Sequence, residues 1–195
     1  MNIFLLALLP LLCAKYHCNK HLVKMILEST QMLCTAKSIC DHGGEQVPPA
    51  SLGVEKTYRN VHKNHPCSLA VRRSRAAFDW LAELALALCA RYTKIYGKVH
   101  ASEALVRALA AASIDNPTGE DFLAKTVVAT LPTRRGPIQM PLCMPPECMV
   151  FRPNGEPDAI LSYRHYYILE KAAFAKWKER KQPPRWFRKG IRAKS

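Results

Sequence analysis

The sequence predicts an all-α fold: a compact single-domain helical bundle with a Pro-rich extended arm and a basic C-terminal helix and tail. Three observations predict it. Apolar residues recur every three or four positions over long stretches, prolines and glycines fall where those stretches begin and end, and no series of alternating strands is visible. An apolar fraction of 49% suits a folded globule, and 195 residues suit one domain better than two. The domain is assigned to residues 1–182 and the basic tail to residues 183–195.

The chain opens with an almost wholly apolar stretch, residues 3–12. It could pass for the core of a signal peptide, but no basic residue precedes it and Pro10 interrupts it. About ten apolar residues cannot span a bilayer as a helix. A buried N-terminal segment in an intracellular protein is expected, with no membrane partner. Secretion through this segment is the alternative.

A first helix is predicted over 11–39, with Leu12, Tyr16, Val23, Ile26, Leu27, Leu33 and Ile39 near helical spacing. Gly43-Gly44 and Pro48-Pro49 make the loop that follows. Pro66 suits the first position of a second long helix. In that helix Phe78, Leu81, Ala85, Leu88, Tyr92 and Ile95 form an apolar stripe, and Gly97 stops it. Ser102 can cap a third helix through Ala112, with Glu103 in its first turn. Seven of the fourteen prolines lie between Leu131 and Pro157, which reads as an extended arm over the surface. A last helix is predicted over 158–181, ended by Pro183-Pro184.

Charge points to the partner. The net charge is +14, which is more than solubility needs and suits a polyanion. Residues 171–195 hold ten basic side chains and one acidic one, and so supply nine of the fourteen net charges. Trp177, Trp186 and Phe187 are interleaved with them. Beside Lys176, Lys178 and Arg185 these aromatics could stack on bases, or they could anchor the last helix on the core. A merely solvated basic surface is the plain alternative.

The first helix carries the candidate chemistry. His17, His21, Lys24 and Glu28 are spaced by four, three and four residues and share one face, which Gln31 continues. Two imidazoles, an amine and a carboxylate are the parts of an acid–base or nucleophilic site. The plain reading is a wet helix face with an ordinary Lys24–Glu28 pair. Cys13, His17, Cys18 and His21 are also metal-ligand types. Four ligands on one continuous helix cannot surround a tetrahedral ion, and Cys143-x4-Cys148 would have to complete such a site. No metal or cofactor is expected, and the eight cysteines are read as reduced thiols.

At this point the residues resemble a known family, the phage pyrimidine-dimer DNA glycosylases of the endonuclease V type. His21-Leu22 followed by Glu28 matches that family's His-Leu pair and the glutamate six residues later. Asn64-His65-Pro66 is similar to an Asn/His-His-Pro element that precedes a long helix in cellular members. Met1-Asn2-Ile3-Phe4, Tyr16-His17-Cys18-Asn19-Lys20-His21, Lys63-Asn64-His65-Pro66 and the stretch from Tyr163 to Trp177 resemble uncharacterised phage and large-virus proteins grouped with the family. The resemblance implies a monomeric helical glycosylase with an associated AP-lyase activity on double-stranded DNA. In that mechanism an amine attacks C1′ of a damaged nucleotide to form a Schiff base, and Glu28 stabilises the sugar cation and assists β-elimination. His21 would contact substrate or phosphate.

The sequence departs from the pattern at several points. Asn2 stands where the family has a small residue whose amine is the nucleophile after Met removal. That leaves the Asn2 amine, the Met1 amine and Lys24 as candidates. Leu27 and Gln31 replace two arginines, and Ala7 or Leu9 replaces an aspartate. The backbone grip then falls to Arg72, Arg73, Arg75 or the C-terminal tail, with His17, Asn64 and His65 as further DNA contacts. Three function classes follow: a base-excision enzyme, a nucleic-acid-binding protein without chemistry, and a secreted or membrane-associated basic protein.

Overall fold

A computed structural model of the chain describes residues 1–119, 126–179 and 182–194. The helices are α1 (Pro10–Tyr16), α2 (Asn19–Asp41), α3 (Pro66–Arg73), α4 (Arg75–Tyr96), α5 (Glu103–Ala112), α6 (Ala159–Tyr166) and α7 (Arg185–Lys194). A hairpin of β1 (Val128–Thr133) and β2 (Gly136–Pro141) lies between α5 and α6. The chain is 54% helical with this one antiparallel sheet among the described residues, so the fold is mixed and not all-α.

The hairpin occupies the start of the expected Pro-rich arm. Val128 pairs with Pro141 and Thr133 with Gly136, leaving Arg134 and Arg135 as the two-residue turn. Prolines are tolerated because each strand has one partner, and a strand edge can do without a donor. Ala129, Leu131, Ile138 and Met140 alternate inward and are buried, so this stretch belongs to the core. Arg135 donates to buried Asp79 on α4 at 3.1 Å, which fixes the turn. Residues 144–157 keep an irregular path, apart from a short helical turn at Pro146–Cys148 and a bridge from Phe151 to Pro157.

Both long helices expected from the periodicity are broken once. The first breaks at His17 and Cys18, whose backbones are extended (ψ 133° and 162°). The second breaks at Ser74 (ψ 149°), whose hydroxyl accepts from the Ala77 amide and starts α4. Gly97 does end α4, in the left-handed conformation at φ 65°. Ser102 precedes α5 but makes no side-chain cap; its hydroxyl instead meets that of Tyr58 at 2.9 Å.

The first break is stitched from a distance. Trp177 donates through Nε1 to Tyr16 O at 3.1 Å, and Arg91 on α4 donates to the carbonyls of Ala14 and His17. The Asn19 amide donates to Lys176 O at 2.8 Å. Backbone groups freed by the break are therefore paired, as buried ones must be. The partners at 176–177 come from the segment expected to extend the last helix. That helix instead passes from α6 through a π-type turn, Tyr167–Lys171, and stops short. Residues 180 and 181 lie outside the described residues.

Core packing centres on α4, which touches α1, α2, α3, α5 and β2. Residues Ile3 to Ala7 run through this core fully buried. Trp80 donates to Leu8 O at 2.9 Å and Arg164 to Leu6 O at 3.0 Å, so side chains pair the segment's backbone. No helix among the described residues is long and apolar enough to cross a membrane.

Candidate active site

The buried N-terminal segment brings the start of the chain against α2. The backbone nitrogen of Asn2 donates to Glu28 Oε2 at 3.1 Å. Lys24 Nζ, one turn earlier on α2, lies 3.3 Å from Oε1 of the same carboxylate. Glu28 is largely covered, its side chain 13% exposed, while that of Lys24 is 62% exposed. The carboxylate thus has one partner facing inward and one facing solvent.

Asn2 is held on three sides. Its Nδ2 donates to Cys143 O at 2.8 Å, and its Oδ1 accepts from the Tyr163 hydroxyl at 2.9 Å and the Ile3 amide at 2.8 Å. Tyr163 is fully buried on α6. Ser68 on α3 donates weakly to the Met1 thioether at 3.6 Å. His65 lies near this cluster: burial chiefly, and then the terminal amine and His62, hold its pKa below the ordinary value, against an opposing pull from Glu28. Met1, Asn2, Lys24, Glu28 and His65 therefore converge.

His17 and His21 are placed differently. His17 sits in the break and is fully buried; Nδ1 donates to Cys13 O at 2.9 Å, and no described residue pairs with Nε2. Burial, with Arg91 adding to it, lowers its pKa to about 4. His21 lies stacked on Phe4, ring centroids 4.3 Å apart, with Nδ1 on the Tyr167 hydroxyl. Burial, and then His17, Lys171, Lys24 and Lys20, lower its pKa to about 3. Both rings are neutral and offer no surface to a phosphate. The row of side chains on one helix face reduces to Lys24 and Glu28, because the break takes His17 out of register and His21 turns into the core.

The three lysines felt by His21 come from two elements and make a basic rim around that ring, and Lys24 alone of them pairs with Glu28. Lys20 lies over the Phe174 ring at 4.6 Å and Lys171 over Tyr166 at 4.3 Å. Gln31 is half-buried further along α2, and Asn64 is exposed before α3. Arg72 is buried and donates to Lys63 O, whereas Arg73 is half-buried. Arg75 is exposed, 4.0 Å from Asp115.

Of the C-terminal aromatics, Trp177 is buried and tilted on Phe187 at 4.9 Å. Trp186 meets Tyr16 and Tyr167 edge-on at 6.0 Å each. They anchor α7 to the core and do not stand out as stacking platforms. Lys176, Lys178 and Arg185 are exposed around them.

No family model, curated protein or solved structure matches the chain. The likeness to the glycosylases rests on the motif residues themselves. Cys67 escaped the sequence reading, although it directly follows the Lys63–Pro66 motif; Lys20, Tyr163 and Lys171 lie within motifs it used but were not singled out, and Cys143 was weighed only together with Cys148. A cleft of about 900 Å³ is lined by Leu8, Leu11, Trp80, Glu83, Pro132 and Arg135 among others, and includes neither Glu28 nor Asn2.

Proposed function

We propose that the protein is a DNA-binding base-excision enzyme, a DNA glycosylase with an associated AP-lyase activity on damaged or modified DNA. One observation carries the proposal: the Asn2 nitrogen lies 3.1 Å from Glu28. Removal of Met1 would turn that nitrogen into a free α-amine already held against a carboxylate. An α-amine is intrinsically a weaker base than a lysine amine, so more of it is unprotonated and nucleophilic near neutrality. Lys24 is the second candidate, 3.3 Å from the other carboxylate oxygen.

In the proposed reaction the amine lone pair forms a bond to C1′ as the bond from C1′ to the base breaks and the base leaves. Glu28 stabilises the positive charge that develops on the sugar. The amine loses one proton, and its lone pair then forms the C1′=N Schiff base as the C1′–O4′ bond breaks, opening the sugar ring, and O4′ takes up a proton. Removal of a C2′ proton then expels the 3′ phosphate by β-elimination. Lys24 beside Glu28, with Lys20 and Lys171 around His21, suits the site to a phosphate backbone, and the +14 net charge favours encounter. Phe4 and Tyr163 back the site from the core, which holds the amine and carboxylate in register.

Borohydride trapping on abasic-site DNA tests this. A covalent protein–DNA adduct is expected, reduced at least tenfold in Glu28→Gln, while binding to the same DNA persists. Peptide mapping of the adduct to residue 2 or to Lys24 identifies the amine. DNA binding without adduct or strand cleavage would reject the enzyme in favour of a non-catalytic DNA-binding protein.

A further inference from the structure

Beside the Asn2–Glu28 pair three metal-ligand side chains meet that the proposed chemistry does not use. A ring nitrogen of His65 and the sulfurs of Cys67 and Cys143 all lie within 4.8 Å of one another. Among the described residues no other three His, Cys, Asp or Glu side chains do so. His65 and Cys67 flank Pro66 at the start of α3, and Cys143 follows β2, so separate elements build the cluster.

The sulfurs are 3.6 Å apart. A disulfide would need about 2.05 Å. Two sulfurs on one tetrahedral zinc, each about 2.3 Å from it, are about 3.8 Å apart. We infer that His65, Cys67 and Cys143 form a zinc site with two thiolates, one imidazole and a fourth position open beside Asn2.

Several features fit this. Thiolate and imidazole donors favour zinc over hard cations. Asn2 Oδ1 lies 3.9 Å from Cys67 Sγ, so the fourth position can take that carbonyl or a water. The two thiols are in hydrogen-bond contact with each other, so a metal between them would replace that contact with two bonds to sulfur. His65 Nδ1 accepts the Cys67 amide at 3.1 Å, which puts the neutral ring's proton on Nε2. Nδ1 is therefore the lone pair available, and coordination would exchange this helix cap for a metal bond. The remaining thiols include Cys13, Cys34 and Cys89, which burial raises to about 11, 11 and 12 and which have no such ligand group around them among the described residues.

The test uses the full chain and zinc or cobalt(II) alone. Protein purified from zinc-supplemented culture should hold one zinc per chain in its native mass spectrum. After chelation, cobalt(II) should restore one equivalent with thiolate-to-metal charge-transfer absorption. Cys143→Ser should weaken that band, and Cys148→Ser should leave it unchanged. X-ray absorption on the zinc-loaded wild-type chain should show two sulfur neighbours, a readout that needs no variant to fold. A metal shell without sulfur, no charge-transfer band, or a Cys67–Cys143 disulfide seen as a two-dalton mass loss would each overturn the assignment. Metal binding is read without DNA, so its failure is distinct from a failure of borohydride trapping.

Discussion

Lowering the pH from 7 to 5 should destabilise the chain through two buried histidines. His17 titrates at about 4 and His21 at about 3 in the fold, against about 6.5 when unfolded. The folded values are depressed, so between those limits the unfolded chain binds protons that the folded chain refuses, and stability falls with pH. At pH 5 each histidine is about 1.5 units below its unfolded value and still above its folded one, which costs about 2 kcal/mol apiece and about 4 kcal/mol together. Depressed His65 and His100 act in the same direction, and so does Asp41 at lower pH. For Asp41, burial works the other way, but Lys37 and the amides of Asn116 and Asp115 outweigh it. A domain of this size is typically stable by about 5–15 kcal/mol, so the loss is a large share. Urea denaturation followed by circular dichroism at pH 7 and pH 5 measures it. Replacing His21 with Gln should remove about half of the pH-dependent loss, whatever it does to stability at pH 7. An unchanged wild-type midpoint between the two pH values would refute the burial argument, as would an equal loss in the variant.

Other consequences can be measured directly. Arg91 is 8% exposed and holds the carbonyls of Ala14 and His17 as well as Glu179, so Arg91→Met should destabilise the chain by about 2–4 kcal/mol in chemical denaturation. A loss under about 1 kcal/mol would mean that the break between α1 and α2 is stable without it. If Lys20, Lys24 and Lys171 grip a phosphate backbone, each Ala substitution should flatten the dependence of log K on log salt by about 1. Fluorescence anisotropy on duplex DNA would show this, and unchanged slopes would put the interface elsewhere.

The parts of the fold written locally were legible. The apolar stripe from Phe78 to Ile95 gave α4, and Gly97 gave its end. The breaks were not legible, because helical spacing continues across His17-Cys18 while the groups that stabilise the break, Arg91, Lys176 and Trp177, lie far along the chain. Ser74 did carry a cap signal, hidden inside a long apolar pattern. The hairpin was masked by Pro132, Pro137 and Pro141, which argue against strands unless each strand is an edge. At the site, Lys24 and Glu28 could be read from their four-residue spacing. His21 could not be placed, since the same spacing serves a ring that faces solvent or one that stacks on Phe4. Cys143 looked like a partner for Cys148 by proximity in sequence, yet it meets Cys67, 76 residues away.

The contact between Asn2 and Glu28 depends on how the first nine residues are fixed. An extended chain advances about 3.3 Å per residue, so a slip of one residue would carry the Asn2 nitrogen out of hydrogen-bond range of the carboxylate. Two side chains resist that slip, Trp80 on Leu8 O and Arg164 on Leu6 O, and buried Ile3 to Ala7 would turn to the wrong sides if it occurred. A carboxylate as covered as Glu28 loses hydration and needs donors in return. It has two nitrogens within reach, one from an exposed lysine and one from the backbone at residue 2. The second donor comes from the part of the chain where loss of one residue converts an amide into an amine. This coincidence of a buried acid with a convertible nitrogen separates the arrangement from an ordinary ion pair on a helix.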